Sequence, residues 1–277
     1  MLLINRWLQS ISGIYTDYFF LFISLFITDI PLVLLLAYIY WCVSKEKGLK
    51  MGLVLTVGMQ LNFGIKDIFK IERPYVIDKN IINKDIKYGY GYSFPSNHCQ
   101  MLSSLYISFK KYFKNKYVNL ILILIFLMMI SRMYLGVHTI IDVVAGVLIG
   151  IVATYILAYL IDELYKKNVF WLTVFLIPGI LVLILFNDND ALKILLLHIG
   201  FLMGYIIDVK CLYFTNAKGF KNKALEYFLG IVGIAAIYLI IDNAFKYFLI
   251  GVWVSYGAPL IFMILRRRKK EDGNSKN

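Results

Sequence analysis

An all-α, polytopic bundle of about nine transmembrane helices, led by an interfacial amphipathic helix, is predicted by three observations. Hydrophobic residues make up 60% of the 277-residue chain, and a mean hydropathy of +0.73 is far too apolar for an ordinary soluble domain. Several uninterrupted runs approach the ~20 apolar residues that cross a bilayer. Lysines and arginines gather in short segments between those runs instead of lining one surface, as membrane topology signals do.

In chain order, Leu2 to Ile11 places Leu3, Trp7 and Leu8 on one side and Arg6 and Gln9 on another, which predicts an amphipathic helix anchored at the interface by Trp7. Residues 18–27 are apolar but short and are flanked by Asp17 and Asp29. They are expected to lie at or partly within the membrane, a strongly tilted span being the alternative. Spans are then predicted at about 30–43 and 51–65, followed by a polar segment at 75–94. A third begins at Pro95 and Ser96, where serine is a strong helix N-cap. The fourth and fifth cover about 118–130 and 139–160. Gly146 and Gly150 of the fifth have a spacing that permits close helix packing. Four more follow at about 169–186, 191–207, 224–241 and 246–265. The expected organisation is interfacial helices at 1–28, a helical core at 29–165, an additional four-span half at 166–265, and a basic cytoplasmic tail at 266–277.

The net charge of +12 does not point to nucleic acid, because the basic residues report orientation. The side of the bundle bearing Lys45, Lys110, Lys166, Lys218 and the tail from Arg266 collects 19 of the 29 Lys and Arg. The positive-inside rule makes that side cytoplasmic. The opposite side, with residues 66–95 and 131–138, is therefore extracytoplasmic, in a cell membrane. Cys42, Cys99 and Cys211 have no metal-ligand spacing, so neither a disulfide framework nor zinc is expected. Met1 to Ser12 carries no adequate apolar core for a cleavable signal peptide.

Three polar elements fall on the extracytoplasmic side: Lys66-x6-Arg73-Pro74, Pro95-Ser96-Asn97-His98, and Ser131-Arg132-x5-His138-x3-Asp142. If the helix restarts near Val137, His138 and Asp142 share one helical face. A carboxylate there can fix the imidazole tautomer for nucleophilic attack. For residues 131–142 alone, a membrane loop with an interfacial histidine and a helix-capping aspartate is an equal alternative. The convergence of the other elements decides between them. Lys66, Arg73 and Arg132 suit phosphoryl oxygens, and the helix start at Asn97 and His98 offers backbone N–H groups and a favourable dipole end. His138 is the expected nucleophile, Asp142 its partner and His98 the general acid. With no carboxylate cluster left to hold Mg²⁺, no metal or cofactor is expected.

These elements resemble the K-x6-RP, PSGH and SR-x5-H-x3-D motifs of the type-2 phosphatidic acid phosphatase superfamily, in order and internal spacing. The resemblance implies the same roles: His138, His98 and Asp142 catalytic, with Lys66, Arg73, Ser96, Asn97 and Arg132 holding phosphate. Asn97 stands where the family has glycine, a position it uses chiefly through its backbone N–H. The long layout and the Arg73-Pro74-Tyr75 sequence are also similar to the glucose-6-phosphatase branch. The expectation is a membrane lipid phosphate or diphosphate phosphatase, with the bilayer and its lipid as partners. A soluble sugar phosphate as substrate, and a non-catalytic lipid-binding or transport protein, are the alternatives. A homodimer is an arrangement that the last four spans would accommodate. His198 is expected to be structural, and Lys193, Asp208, Glu226 and Asp242 to be solvated or capping residues.

Overall fold

The computed structural model describes residues 2–87 and 89–274, and among them every regular element is helical. Six stretches are long and apolar enough to cross a membrane: Tyr117–Tyr134, Ile140–Lys167, Val169–Phe186, Asn189–Leu212, Phe220–Ile240 and Phe245–Arg267. The expected count of nine is therefore not reached. Helix α2 (Ile14–Leu25) and helix α3 (Asp29–Tyr38) with the π-helical turn Ile39–Val43 qualify only when taken together as one broken span. The predicted span at 30–43 is too short by itself, since fourteen helical residues cover about 21 Å against a ~30 Å core.

Helices α4 (Lys45–Phe69) and α6 (Asn97–Phe113) also fall outside the six. Helix α6, at 17 residues, is also short. Both helices bury polar side chains inside the protein, including Gln60, Asn62, Gln100, Ser103, Ser104 and Ser108, and this lowers their hydropathy. Apolarity toward lipid is a test only for helices that face lipid.

The chain forms two compact units, 1–32 with 57–160 and 33–56 with 161–277. Residues 33–56 thus pack within the later unit, although they are early in sequence. In the first unit, α1 (Leu2–Ser10), α2, the end of α4, the short α5 (Pro74–Ile77), α6, α7 (Ile121–Tyr134) and most of α8 (Ile140–Lys167) surround the polar elements. Gly146 and Gly150 of α8 lie against the backbone of α6 at Ser96 and Gln100, where a Cβ would clash. That spacing does what was expected of it. Asn62 Nδ2 donates to Gln100 Oε1 at 2.7 Å, and Gln100 Nε2 donates to Gly58 O at 2.7 Å, tying α4 to α6. Helix α1 is turned differently from the prediction. Leu3 and Trp7 are exposed, but Leu8 is buried, and so is Asn5.

The second unit contains α9 (Ile177–Phe186), α10 (Asn189–Ile207), α11 (Phe220–Ile240), α12 (Phe245–Val252) and α13 (Ala258–Asn274). Gly200 and Gly204 press against Phe248 O and Ser255 of the α12 region, so their role is packing. His198 is fully buried within α10. Two of the residues expected to be solvated or capping are instead buried ion pairs. Asp208 pairs with Lys45 at 2.5 Å, and Glu226 receives both ends of the Arg266 fork at 2.7 Å. Sequence position near a helix end did not reveal those partners, which come from distant segments. The backbone of the predicted tail stays helical to Asn274, and residues 275–277 lie outside those described.

Candidate active site

The last turn of α4 carries Lys66, whose Nζ donates to Tyr92 O at 2.7 Å and Ser93 O at 3.1 Å. Arg73, at the start of α5, wraps the same segment from the other end. Its Nε donates to Tyr90 O and Gly91 O, both at 3.0 Å, and its Nη2 to Tyr90 O at 2.6 Å. Its Nη1 donates to Val137 O at 2.9 Å and stands 3.5 Å from His138 Nε2. Lys66 and Arg73 therefore hold the 90–93 backbone beside the histidine, a structural task the motif did not disclose. A lysine has three N–H donors and an arginine five, so each cation retains a donor for an anion. Burial first, then the charge of Arg132, lowers the Arg73 pKa to about 10, which leaves it cationic at neutral pH.

Arg132, in the last turn of α7, has no exposed surface. Its Nη1 donates to Ser24 Oγ at 2.5 Å and Asp85 Oδ2 at 2.6 Å, while Nε and Nη2 have no hydrogen-bond partner. Buried donors are costly to leave unsatisfied, and Nε with Nη2 forms the edge of a guanidinium that fits two phosphate oxygens. Next to Ser24 and Asp85 is a cavity of ≈ 530 Å³, walled by Tyr18, Leu21, Phe22 and Leu25 and edged by Lys84 and Lys87.

His138 does not share a helical face with Asp142, because α8 starts at Ile140 and not at Val137. What brings the two together is a capping arrangement. The Thr139 N–H donates to Asp142 Oδ2 at 2.6 Å, and the Asp142 N–H donates to Thr139 Oγ1 at 3.4 Å. The same Asp142 Oδ2 accepts a hydrogen bond from Ser93 Oγ and stands 3.8 Å from His138 Nδ1. That separation is too long for a hydrogen bond. The catalytic and capping interpretations of Asp142 are thus not exclusive: one carboxylate caps the start of α8 and faces an imidazole.

Burial, reinforced by Arg73, Lys66 and Arg132, holds the His138 imidazole well below its ordinary pKa. The ring should remain neutral as pH falls from 8 through 6.5, taking up its proton only in more acidic solution. The chain has three histidines, so ¹³C-labelled imidazole signals can be followed by NMR and assigned with a His138→Ala variant. A His138 signal titrating near pH 6.5 would contradict this electrostatic account.

Ser96 precedes the first residue of α6 as predicted, though its side chain makes no capping bond. Its N–H donates to Asp142 O at 3.0 Å, joining the starts of α6 and α8. Asn97 and His98 follow in the first turn, where the helix leaves backbone N–H groups available to an anion. The Asn97 Oδ1 is buried without a hydrogen-bond partner. His98 is buried, and the charges of Arg132, His138, Arg73 and Lys66 all act on it. The eight predicted residues thus fall on the ends of four helices and on three connecting segments. Asp85, Ser24, Ser93, Thr139 and Asn5 were not predicted. Thr139 lies inside the third motif, three residues before Asp142, and Ser93 lies close to Pro95-Ser96, so both had a usable signal; Asp85, Ser24 and Asn5 have no spacing relation to the motifs. Among the described residues no group of three or more His, Cys, Asp or Glu is arranged to hold a metal ion.

Comparison with known proteins points to one family. Residues 47–166 match the model of the PAP2 superfamily, and residues 195–270 match that of the PAP2 superfamily phosphatase transmembrane extension. The crystal structure of Aquifex aeolicus LpxE has a similar fold, with a TM-score of 0.50 and 23% sequence identity, covering 55% of this chain and 91% of that one. No sequence among curated proteins matches the chain. A multi-pass helical bundle of this kind is an integral membrane phosphatase, a phosphoric monoester hydrolase. The chain belongs to the PAP2 superfamily.

Proposed function

We propose that this phosphatase hydrolyses a lipid phosphate or lipid diphosphate, of the undecaprenyl diphosphate, phosphatidic acid or phosphatidylglycerol phosphate class, through a phosphohistidine. The observation that carries this reading is the set of unspent cationic donors around one buried imidazole. Arg132 keeps its Nε and Nη2 donors unpartnered, and Arg73 Nη1 lies 3.5 Å from His138 Nε2. A phosphoryl group seated there has its oxygens on Lys66, Arg73, Arg132 and the N–H groups of Asn97 and His98, where developing negative charge is stabilised.

His138 Nε2 attacks phosphorus, and the bond to the leaving oxygen breaks as His98 supplies its proton. Asp142 faces the opposite side of the His138 ring, where it stabilises the positive charge of the phosphohistidine. His98 then takes a proton from water, whose oxygen attacks phosphorus; phosphate departs and His138 is neutral again. The reaction is assigned without a metal because the nearby carboxylates are committed, Asp85 to Arg132 and Asp142 to Ser93 and Thr139.

The apolar wall of the cavity at Ser24 and Asp85, the two partners of Arg132, favours a lipid over a soluble ester. Its position suits a chain in hydrocarbon and a head group at the phosphate-binding cations. The Lys and Arg distribution supports a site on the extracytoplasmic side with the C-terminus in the cytoplasm. A C-terminal reporter lying outside the cell would reverse that orientation.

The decisive assay is phosphate release by purified protein in EDTA from those three lipids and from glucose 6-phosphate. Hydrolysis confined to glucose 6-phosphate would overturn the lipid reading, and loss of activity in EDTA the metal-independent one. Leu21→Trp, which fills the cavity, is expected to lower kcat/KM for lipid about tenfold and leave phenyl phosphate hydrolysis within about twofold. Equal losses would remove the cavity from the account.

A further inference from the structure

Helix α1 lies outside both stretches that match the family models, yet it grips the segment that carries His138. Asn5 has no exposed surface. Its Nδ2 donates to His138 O at 2.8 Å and to Met133 O at 2.9 Å, using both amide protons. Gln9, one turn further on, donates from Nε2 to Ile82 O at 2.8 Å and Tyr134 O at 2.9 Å, and its Oε1 accepts the Ile82 N–H at 2.9 Å. Arg6 pairs with Asp78 at 2.5 Å. One short helix thereby ties together residues 78–82, the end of α7 and His138.

His138 needs such support because it belongs to no helix. It stands between the end of α7 at Tyr134 and the start of α8 at Ile140. The turn before it contains Gly136 with φ +76°, a conformation that other residues rarely adopt. A Cβ on Gly136 would also collide with Ile82 O and the Gln9 amide. Within the segment, the Val137 and His138 N–H groups reach Arg132 O only at 3.3 Å. The remaining main-chain groups are held from outside, Val137 O by Arg73 and His138 O by Asn5.

We propose that Asn5 is a positioning residue for the reaction: its amide fixes the His138 carbonyl and so sets where the imidazole stands relative to the bound phosphoryl group. The inference rests on the reading of His138 as the nucleophile. Misplacement of a reacting group by ~1 Å can cost about 10²-fold in rate. Asn5→Asp is nearly isosteric and removes both donors, putting a carboxylate oxygen against two carbonyls. Asn5→Ala is the smaller, uncharged second variant, and Leu8→Ala removes a buried apolar side chain of the same helix while keeping the Asn5 amide.

The test is steady-state kinetics of the full-length protein in detergent, on phosphatidic acid and on phenyl phosphate, with Tm measured for each variant. Asn5→Asp and Asn5→Ala are expected to lower kcat by about 10–10²-fold with KM within about twofold. Leu8→Ala is expected to lower Tm and keep kcat within about twofold. Unaltered kcat in whichever Asn5 variant folds overturns the proposal. So does an equal kcat loss in Leu8→Ala at matched Tm, which would assign the effect to general loosening of α1. Full activity of His138→Ala would instead overturn the reading of the nucleophile on which this inference stands.

Discussion

His138→Ala should release phosphate from no substrate at a rate above background, a loss of ~10⁴-fold or more, while eluting from a sizing column as wild type does. The size of the effect follows from covalent catalysis, since no neighbour can take over the attack. Cys99 is buried as the wild-type histidine is, but it lies within the α6 helix. The substitution itself should be tolerated. It removes a neutral ring, and the backbone around residue 138 is held by Asn5, Arg73 and Arg132 through main-chain atoms. A His138→Ala enzyme with measurable turnover of phosphatidic acid would dismiss the phosphohistidine. Trapping acid-labile ³²P on wild-type protein but not on this variant would give it direct support.

Arg132→Leu is expected to be the second most damaging change, and to damage two properties at once. It removes the guanidinium edge proposed to bind phosphate, at an expected cost of about 10²–10³-fold in kcat. It also takes away the cation that neutralises Asp85 in an interior where both side chains are almost completely buried. Breaking a buried pair from one side costs about 3–5 kcal/mol, so Tm should fall markedly. The double variant Arg132→Leu/Asp85→Leu separates the two. It should recover much of the Tm, because replacing a whole buried pair by apolar groups is often neutral, yet remain as inactive as Arg132→Leu. Recovered activity in the double variant would mean that Arg132 serves the fold alone.

The three motifs were legible because their internal spacings survive folding almost unchanged. Lys66 and Arg73 lie at the end of one helix and the start of the next, and Ser96 to His98 open α6 as serine and proline predict. Less legible was how the cations are used. The sequence suggests three free clamps, whereas Lys66 and Arg73 spend most of their donors on the carbonyls of residues 90–93 and Val137. Nothing in a spacing pattern tells a phosphate-binding arginine from one that also holds backbone. The count of nine spans is not confirmed for a related reason: α4 and α6 bury polar side chains and so do not stand out as membrane helices by apolarity.

What the sequence determined by itself is the chemistry: a membrane bundle, two histidines, an aspartate and three cations whose spacings suit a phosphoryl group, properties carried by residue type and local period. Tertiary structure decided the partners. Ser24 and Asp85 orient Arg132, Ser93 and Thr139 orient Asp142, and Asn5 holds His138 across more than a hundred residues of chain. Each of those contacts joins a single donor to a single acceptor. Only the Thr139–Asp142 pair has a local trace, the T-x-x-D spacing of a helix start; the others depend on where distant segments meet and not on what lies beside either residue in the chain.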